Sequence, residues 1–164
     1  MDDTIAALFL DYSGKRLEQA NNDLKTCLGK LSDAQIWERH GPHENAVGNL
    51  VLHMCGNMRQ WVMHGIGGAK DVRLRDAEFS ALDGWRGGEL AELFATTIAE
   101  ARRVIENVPA ERLVERTTPQ KREVSVLEAI YQVVTHVQQH TGQVIVLTKQ
   151  MTGKDLDLTV PRPR

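Results

Sequence analysis

The sequence predicts an all-α protein, a four-helix bundle, on three observations. Four stretches carry helical apolar periodicity, no stretch sustains a strand pattern, and capping and stop signals bracket the periodic segments. The length of 164 residues suits one domain spanning residues 1–164, enough to bury most of its apolar surface in one core.

The first helix is expected from about Asp2 to Leu28, where Ile5, Leu8, Tyr12, Leu17, Leu24 and Leu28 keep helical spacing. Ser32 and Gln35 then fit a capping box opening a short turn, and Gly41-Pro42 punctuates the loop Arg39–Glu44. A second helix should start at Asn45 as N-cap and run to Met63 or His64, before Gly65, Gly67 and Gly68. The polar connection Ala69–Gly84 is longer than most, which suits a segment that carries function or covers a site. A third helix follows from about Glu89 to Val108. Pro109 breaks the chain, and Thr117–Gln120 reads as loop or small hairpin. Ser125 and Glu128 form a strong capping box for the last helix, which should end near Met151 with Gly153 as stop.

Charge and composition narrow the function classes. The net charge of −2 leaves no large basic surface for nucleic acid or anionic lipid. No apolar run reaches the roughly 20 residues that span a bilayer, and Met1–Thr4 lacks the start of a signal peptide. Cys27 and Cys55 make neither a disulfide framework nor a Cys-x-x-Cys motif, so a cytoplasmic protein is expected.

The chemistry concentrates in histidines. His136 and His140, four apart in the last helix, stack on one face roughly 6 Å apart, where two imidazoles can share a first-row metal ion. Gln143 falls within about 20° of His136 around the helix, and the stripe Val126, Val133, Val137, Val144 lies beside it, so the pair flanks the core. On the second helix His53 faces inward and shares its stripe with Asn57. His64 is roughly 16 Å further along, and Cys55 points about 200° away. His53, His136 and His140 would supply three nitrogens and leave positions open, as catalytic metal sites do. Spacing alone also fits core histidines satisfied by hydrogen bonds. Gly48, Gly56 and Gly142 beside these ligands mark either close approach or ordinary tight packing. Trp37, Trp61 and Trp85 read as core or rim aromatics, and the runs Lys70–Asp76 and Lys121–Glu123 as solvated faces.

At these residues the chain resembles a known family. Asn49–Asn57 and His136–Gln143 resemble the two signature segments of the DinB/YfiT-like metalloenzyme superfamily. Arg73–Phe79 resembles its mid-chain motif and Leu158–Arg162 its C-terminal ending. The resemblance implies an up-down-down-up bundle, often a homodimer, holding one divalent metal, nickel or zinc, on His53, His136 and His140. Relatives include bacillithiol S-transferases and mycothiol-dependent maleylpyruvate isomerase, and others are labelled metal-dependent hydrolases. The expected function is therefore a metal-dependent enzyme acting on a small-molecule substrate, of the thiol S-transferase type. A metal-dependent hydrolase and a non-catalytic metal- or ligand-binding stress-response bundle are the alternatives.

A three-imidazole metal with open positions activates water or a thiol near neutral pH. No inward carboxylate with a clear general-base role is legible beside the triad, which tilts the expectation to a low-molecular-weight thiol cofactor over base-assisted hydrolysis. Asn57 and Gln143 are the candidate substrate-binding residues, through hydrogen bonds to a ligand at the metal. Arg73, Arg75 and Arg162 are candidates for the carboxylates of such a thiol.

Overall fold

The computed structural model describes residues 3–159. Val160–Arg164, which include Arg162 and most of the C-terminal ending, lie outside the described residues, as does Asp2. Among the described residues six α-helices follow one another: α1 (Asp3–Leu28), α2 (Asp33–Ile36), α3 (Val47–Met58), α4 (Arg75–Ser80), α5 (Gly87–Glu106) and α6 (Val126–Thr152). Two-residue strands β1 (Arg116–Thr117) and β2 (Val124–Ser125) pair antiparallel, the hairpin of the two readings left open, with Gln120 and Lys121 left-handed in its turn. No helix among the described residues is long and apolar enough to cross a membrane.

Helices α1 and α3 each pack on both α5 and α6. The directions follow from which residues meet. Ile5 lies with Tyr131 and Arg16 with Gln138, so α1 and α6 run parallel. Glu18 meets Arg102 and the Leu28 carbonyl lies by Gly87, so α5 runs antiparallel to α1. On the remaining pair, Leu50 lies with Val146 while His53 meets His136, so α3 runs against α6. This is an up-down-down-up bundle. Its core is the apolar stripe of each helix, with Leu17, Met54, Phe94, Ile98, Ile130 and Val137 fully buried.

Local signals set several boundaries as the sequence predicts. Ser125 Oγ accepts from the Glu128 amide, and Glu128 Oε2 accepts from the Ser125 amide at 2.6 Å. Gly153 closes α6 with φ 64°, a left-handed conformation that costs glycine little. The Ser32–Gln35 capping box also forms.

Two boundaries differ from the sequence expectation. The N-cap of α3 is Ala46, not Asn45. The amide of Ala46 donates to Asn49 Oδ1 at 3.1 Å, so a buried side chain inside the helix does the capping. The second difference lies at the other end of the same helix, where Arg59–His64 winds as a π-helical turn. There the Gly65 amide donates to Gln60 and that of Gly67 to Val62. Such a turn re-aims side chains, and it presents Gln60 to Asp71 and Arg73.

The long connection after α3 is not featureless. It contains α4, whose C-terminal carbonyls are clamped from the bundle. Asn49 Nδ2 donates to Glu78 O at 2.9 Å and Ala81 O at 2.8 Å, while Arg39 Nη2 donates to Phe79 O, Ala81 O and Asn49 Oδ1. Asn49 is fully buried, so its side chain makes its own bonds away from bulk water, while those of Arg39 are part-buried. Asn49→Ala would leave several buried groups unpaired and cost about 3 kcal/mol. Urea unfolding should show that loss of stability, together with faster amide exchange across α4.

Candidate metal centre

The last helix delivers two of the three histidines through its own geometry, and the α3–α6 packing delivers the third. His53 Nε2 and His140 Nε2 lie 3.0 and 3.1 Å from His136 Nε2. The three rings stand edge to face, with centroids 4.5–5.1 Å apart. This trio could hold a metal ion. His53 is 7% exposed and the other two are half-buried, so the cluster sits at the bundle surface rather than sealed inside it.

The outer nitrogens explain why the inner ones converge. His53 Nδ1 lies 3.0 Å from Glu78 Oε2, and an ionised carboxylate only accepts, so Nδ1 carries the proton and donates. Arg73 Nη2 is 3.1 Å from the same nitrogen, but its shorter bond, 2.8 Å, is donated to Glu78 Oε2. His140 Nδ1 likewise donates to Gln143 Oε1 at 2.6 Å. In the neutral rings this assignment leaves His53 Nε2 and His140 Nε2 as bare lone pairs, both aimed at His136 Nε2. One N–H on His136 can satisfy only one of them. A shared cation satisfies all three, and metal–nitrogen bonds of about 2.0–2.1 Å suit donors this close. The donor set fits a first-row divalent ion.

Electrostatics favour the neutral rings that a metal needs. Burial pushes His136 down to about 3, helped by the neighbouring His140 and His53. Burial also lowers His140, against the raising effect of the Gln143 hydrogen bond. For Glu78, burial alone would raise the pKa, but hydrogen bonds from Arg73 and His53 overcome it and hold the carboxyl below its ordinary value.

Glu78 is the residue the sequence reading missed. A carboxylate does approach the triad, in a supporting rather than a general-base position, and it comes from α4 in the polar connection. Arg73 Nε donates to Glu78 Oε1 at 2.7 Å, and the Arg73 side chain is only 2% exposed. The expectation that the run Lys70–Asp76 is a solvated face therefore fails at Arg73. Each of its guanidinium nitrogens is engaged, by Glu78 or by Gln60 Oε1 at 3.0 Å, and its charge is paired with Glu78 rather than held out for a ligand carboxylate. Arg75 instead sits over the Phe79 ring at 4.9 Å, and that ring stacks against His53.

Gly56 explains how the carboxylate gets in. A Cβ there would lie 1.8 Å from Glu78 Oε1, so only glycine admits the close approach. Gly48 is a packing glycine, where an added Cβ would lie 2.7 Å from the Trp37 ring. Gly142 faces open space and lines a cavity of about 570 Å³ with His43, Leu50 and Gln143.

The other expectations sort cleanly. Gln143 orients His140 and reaches that cavity. Asn57 is buried one turn beyond His53, and its Oδ1 has no hydrogen-bond partner among the described residues. His64 bonds to Ala69 O and stays outside the trio. Cys55 is buried, its thiol pushed up to about 12 by desolvation, and it takes no part. Trp61 is core, while Trp85 is a rim residue.

Comparison with known proteins bears on this geometry. Residues 4–164 match the family described as "Protein of unknown function (DUF1572)". The chain belongs to the DUF1572 family. Solved structures share its fold. A conserved protein from Enterococcus faecalis superposes with TM-score 0.72 at 13% identity, covering 88% of this chain and 97% of that one. The DinB-like protein YjoA from Bacillus subtilis gives 0.66 at 15% identity over 88% and 93%. A DinB-like protein from Bacillus cereus gives 0.62 at 16% over 90% and 92%. The DinB-like resemblance carried by the sequence thus holds for the fold. No curated protein matches the chain.

The depressed histidines predict how the metal-free protein responds to acid. The unfolded chain takes up protons near 6.5, whereas folded His136 resists them to about 3, so stability falls as pH drops through that window. Glu78 pulls the same way, but only below its ordinary 4.5. Melting temperatures of metal-free protein should therefore decline between pH 6.5 and 4.5, and His136→Gln should flatten that part of the curve.

Proposed function

We propose that this chain, as one cytoplasmic domain across residues 1–164, is a divalent-metal-dependent enzyme acting on small molecules, of the thiol S-transferase type. His53, His136 and His140 are the ligands, and nickel or zinc is the ion. The observation that carries the reading is the convergence of three Nε2 atoms, with the outer nitrogen of His53 tied to Glu78 and that of His140 to Gln143. An ion held there supplies Lewis-acid activation of a thiol or a water near neutral pH.

The residues favour the thiol. A hydrolase of this kind would use a carboxylate base near the open side of the metal. Glu78 cannot serve, because both its oxygens are engaged by Arg73 and it bonds the Nδ1 edge of His53, opposite the Nε2 edge that faces the trio. Its work is to hold the His53 ring and tautomer. Gln143 does the same for His140 and also borders the cavity by Gly142, which is room for a substrate on the far side of Gln143. Asn57, one turn from His53 on the side away from that cavity, carries a buried Oδ1 acceptor with no partner among the described residues. Arg75 is exposed and free to meet a thiol's carboxylate if it leaves Phe79.

The same reading includes a homodimer through the α1/α6 face. Leu8 and Tyr131 are more than 60% exposed there, and with Ile5, Tyr12 and Val134 they line an apolar groove of about 820 Å³. Leu8→Glu should shift the sedimenting species to monomer.

Elemental analysis of untagged protein should find about one nickel or zinc per chain, lost in His136→Ala. Glu78→Gln should weaken metal affinity by about 10- to 100-fold while leaving all three ligands in place. Conjugation of a small electrophile to a low-molecular-weight thiol should require the metal. Metal-dependent ester or amide cleavage without thiol turnover would assign the hydrolase reading, and a loaded protein inert to both would assign a binding role.

A further inference from the structure

A second cavity, of about 480 Å³, opens between α3, α5 and the segment leading into α4. Arg73 and Glu78 line it, so their ion pair forms the wall between this space and His53. The rest of the lining is mainly apolar: Leu52, Val72, Leu74, Trp85 and Leu93. Val72 and Leu74 are about 70% exposed, an unusual placement for two aliphatic side chains in so polar a segment.

Two cations stand at the same cavity. Arg59 and Lys70 line it, both are exposed, and neither side chain has a hydrogen-bond or ion-pair partner among the described residues. The acids nearby are already occupied. Asp71 accepts from Gln60 Nε2 on one oxygen and from the Arg73 amide on the other. Glu78 is neutralised by Arg73. The Asp71 bonds come from neutral donors and leave its charge in place, so Arg59, Lys70 and Arg73 set against Asp71 and Glu78 give the lining one net positive charge, above a mainly apolar floor.

We propose that this cavity binds a small amphiphile with a carboxylate headgroup, its apolar tail against Leu52, Leu74 and Leu93 and its carboxylate paired with Arg59 and Lys70. A guanidinium matches a carboxylate with two parallel hydrogen bonds, and an ammonium adds a point charge. Burial of the exposed leucine and valine supplies the tail's share of the binding. The site needs no metal and stands whether or not the three histidines hold one.

The test uses the full chain, metal-free and metal-loaded, titrated with decanoate and with decanol as the neutral analogue. Saturable binding of one decanoate per chain is expected, with Trp85 fluorescence and the Leu93 methyl signals responding. Decanol should bind about tenfold more weakly, and Arg59→Gln with Lys70→Gln should weaken decanoate by about tenfold. Leu74→Gln, another exposed position, should weaken both probes. Lys121→Gln with Arg122→Gln, cations outside the cavity, should change nothing. Absence of saturable binding, equal affinity for decanol, an unaffected Arg59/Lys70 variant, or signals at Leu8 and Tyr131 instead would each overturn the assignment.

Discussion

The buried bond between Glu78 and His53, held from behind by Arg73, is the constraint on which the candidate site rests. Taking a carboxylate and a guanidinium out of water costs several kcal/mol, recovered only when geometry and extra hydrogen bonds are good. Here both Glu78 oxygens are satisfied, and one of the bonds goes to a histidine. That bond decides which edge of the His53 imidazole carries the proton. It thereby decides that a lone pair, not an N–H, points at His136. Removing the carboxylate leaves the histidines in place but releases the ring and its tautomer.

The rest of the structure brings that carboxylate to its position. Asn49 and Arg39 hold the carbonyls at the end of α4, and Gly56 leaves the space that the carboxylate fills. The π-helical turn presents Gln60 to the far side of Arg73, and Gln120 of the hairpin turn donates to Gln60 in its turn. A chain of side chains thus runs from the hairpin to His53. Each member uses its hydrogen-bonding groups on the next, which is how a polar network stays affordable in a low-dielectric interior.

The bundle supplies a frame that tolerates wide sequence change. Proteins only 13–16% identical keep its course over most of their length. Such a fold is specified by where apolar stripes fall and how helices cap, not by any particular core residue. Chemistry lies in what is placed on the frame. In this chain that is an i,i+4 histidine pair, one facing histidine, and a short helix carrying their carboxylate support.

Much of this was legible in the chain itself. Helical periodicity placed the four long helices, the Ser125–Glu128 box set the start of α6 and Gly153 its end, because such signals act within one turn of the backbone. The same 3.6-residue repeat put His136 and His140 on one face and set Cys55 aside, while His64 was too far along the axis. What local spacing could not reveal was the fate of a charged segment. Lys70–Asp76 has the composition of a solvated run, and nothing in it says that Arg73 and Glu78 will be buried together. That outcome needs Gly56, some twenty residues away, to offer empty volume where any other side chain would stand, and Asn49 to fasten α4 above it. An absent Cβ has no periodicity and exerts its effect only across an interface. The chain's local code thus determined the helices and the histidine stripe. Tertiary packing alone decided which carboxylate holds His53, which edge of each imidazole faces inward, and so what the three nitrogens can bind.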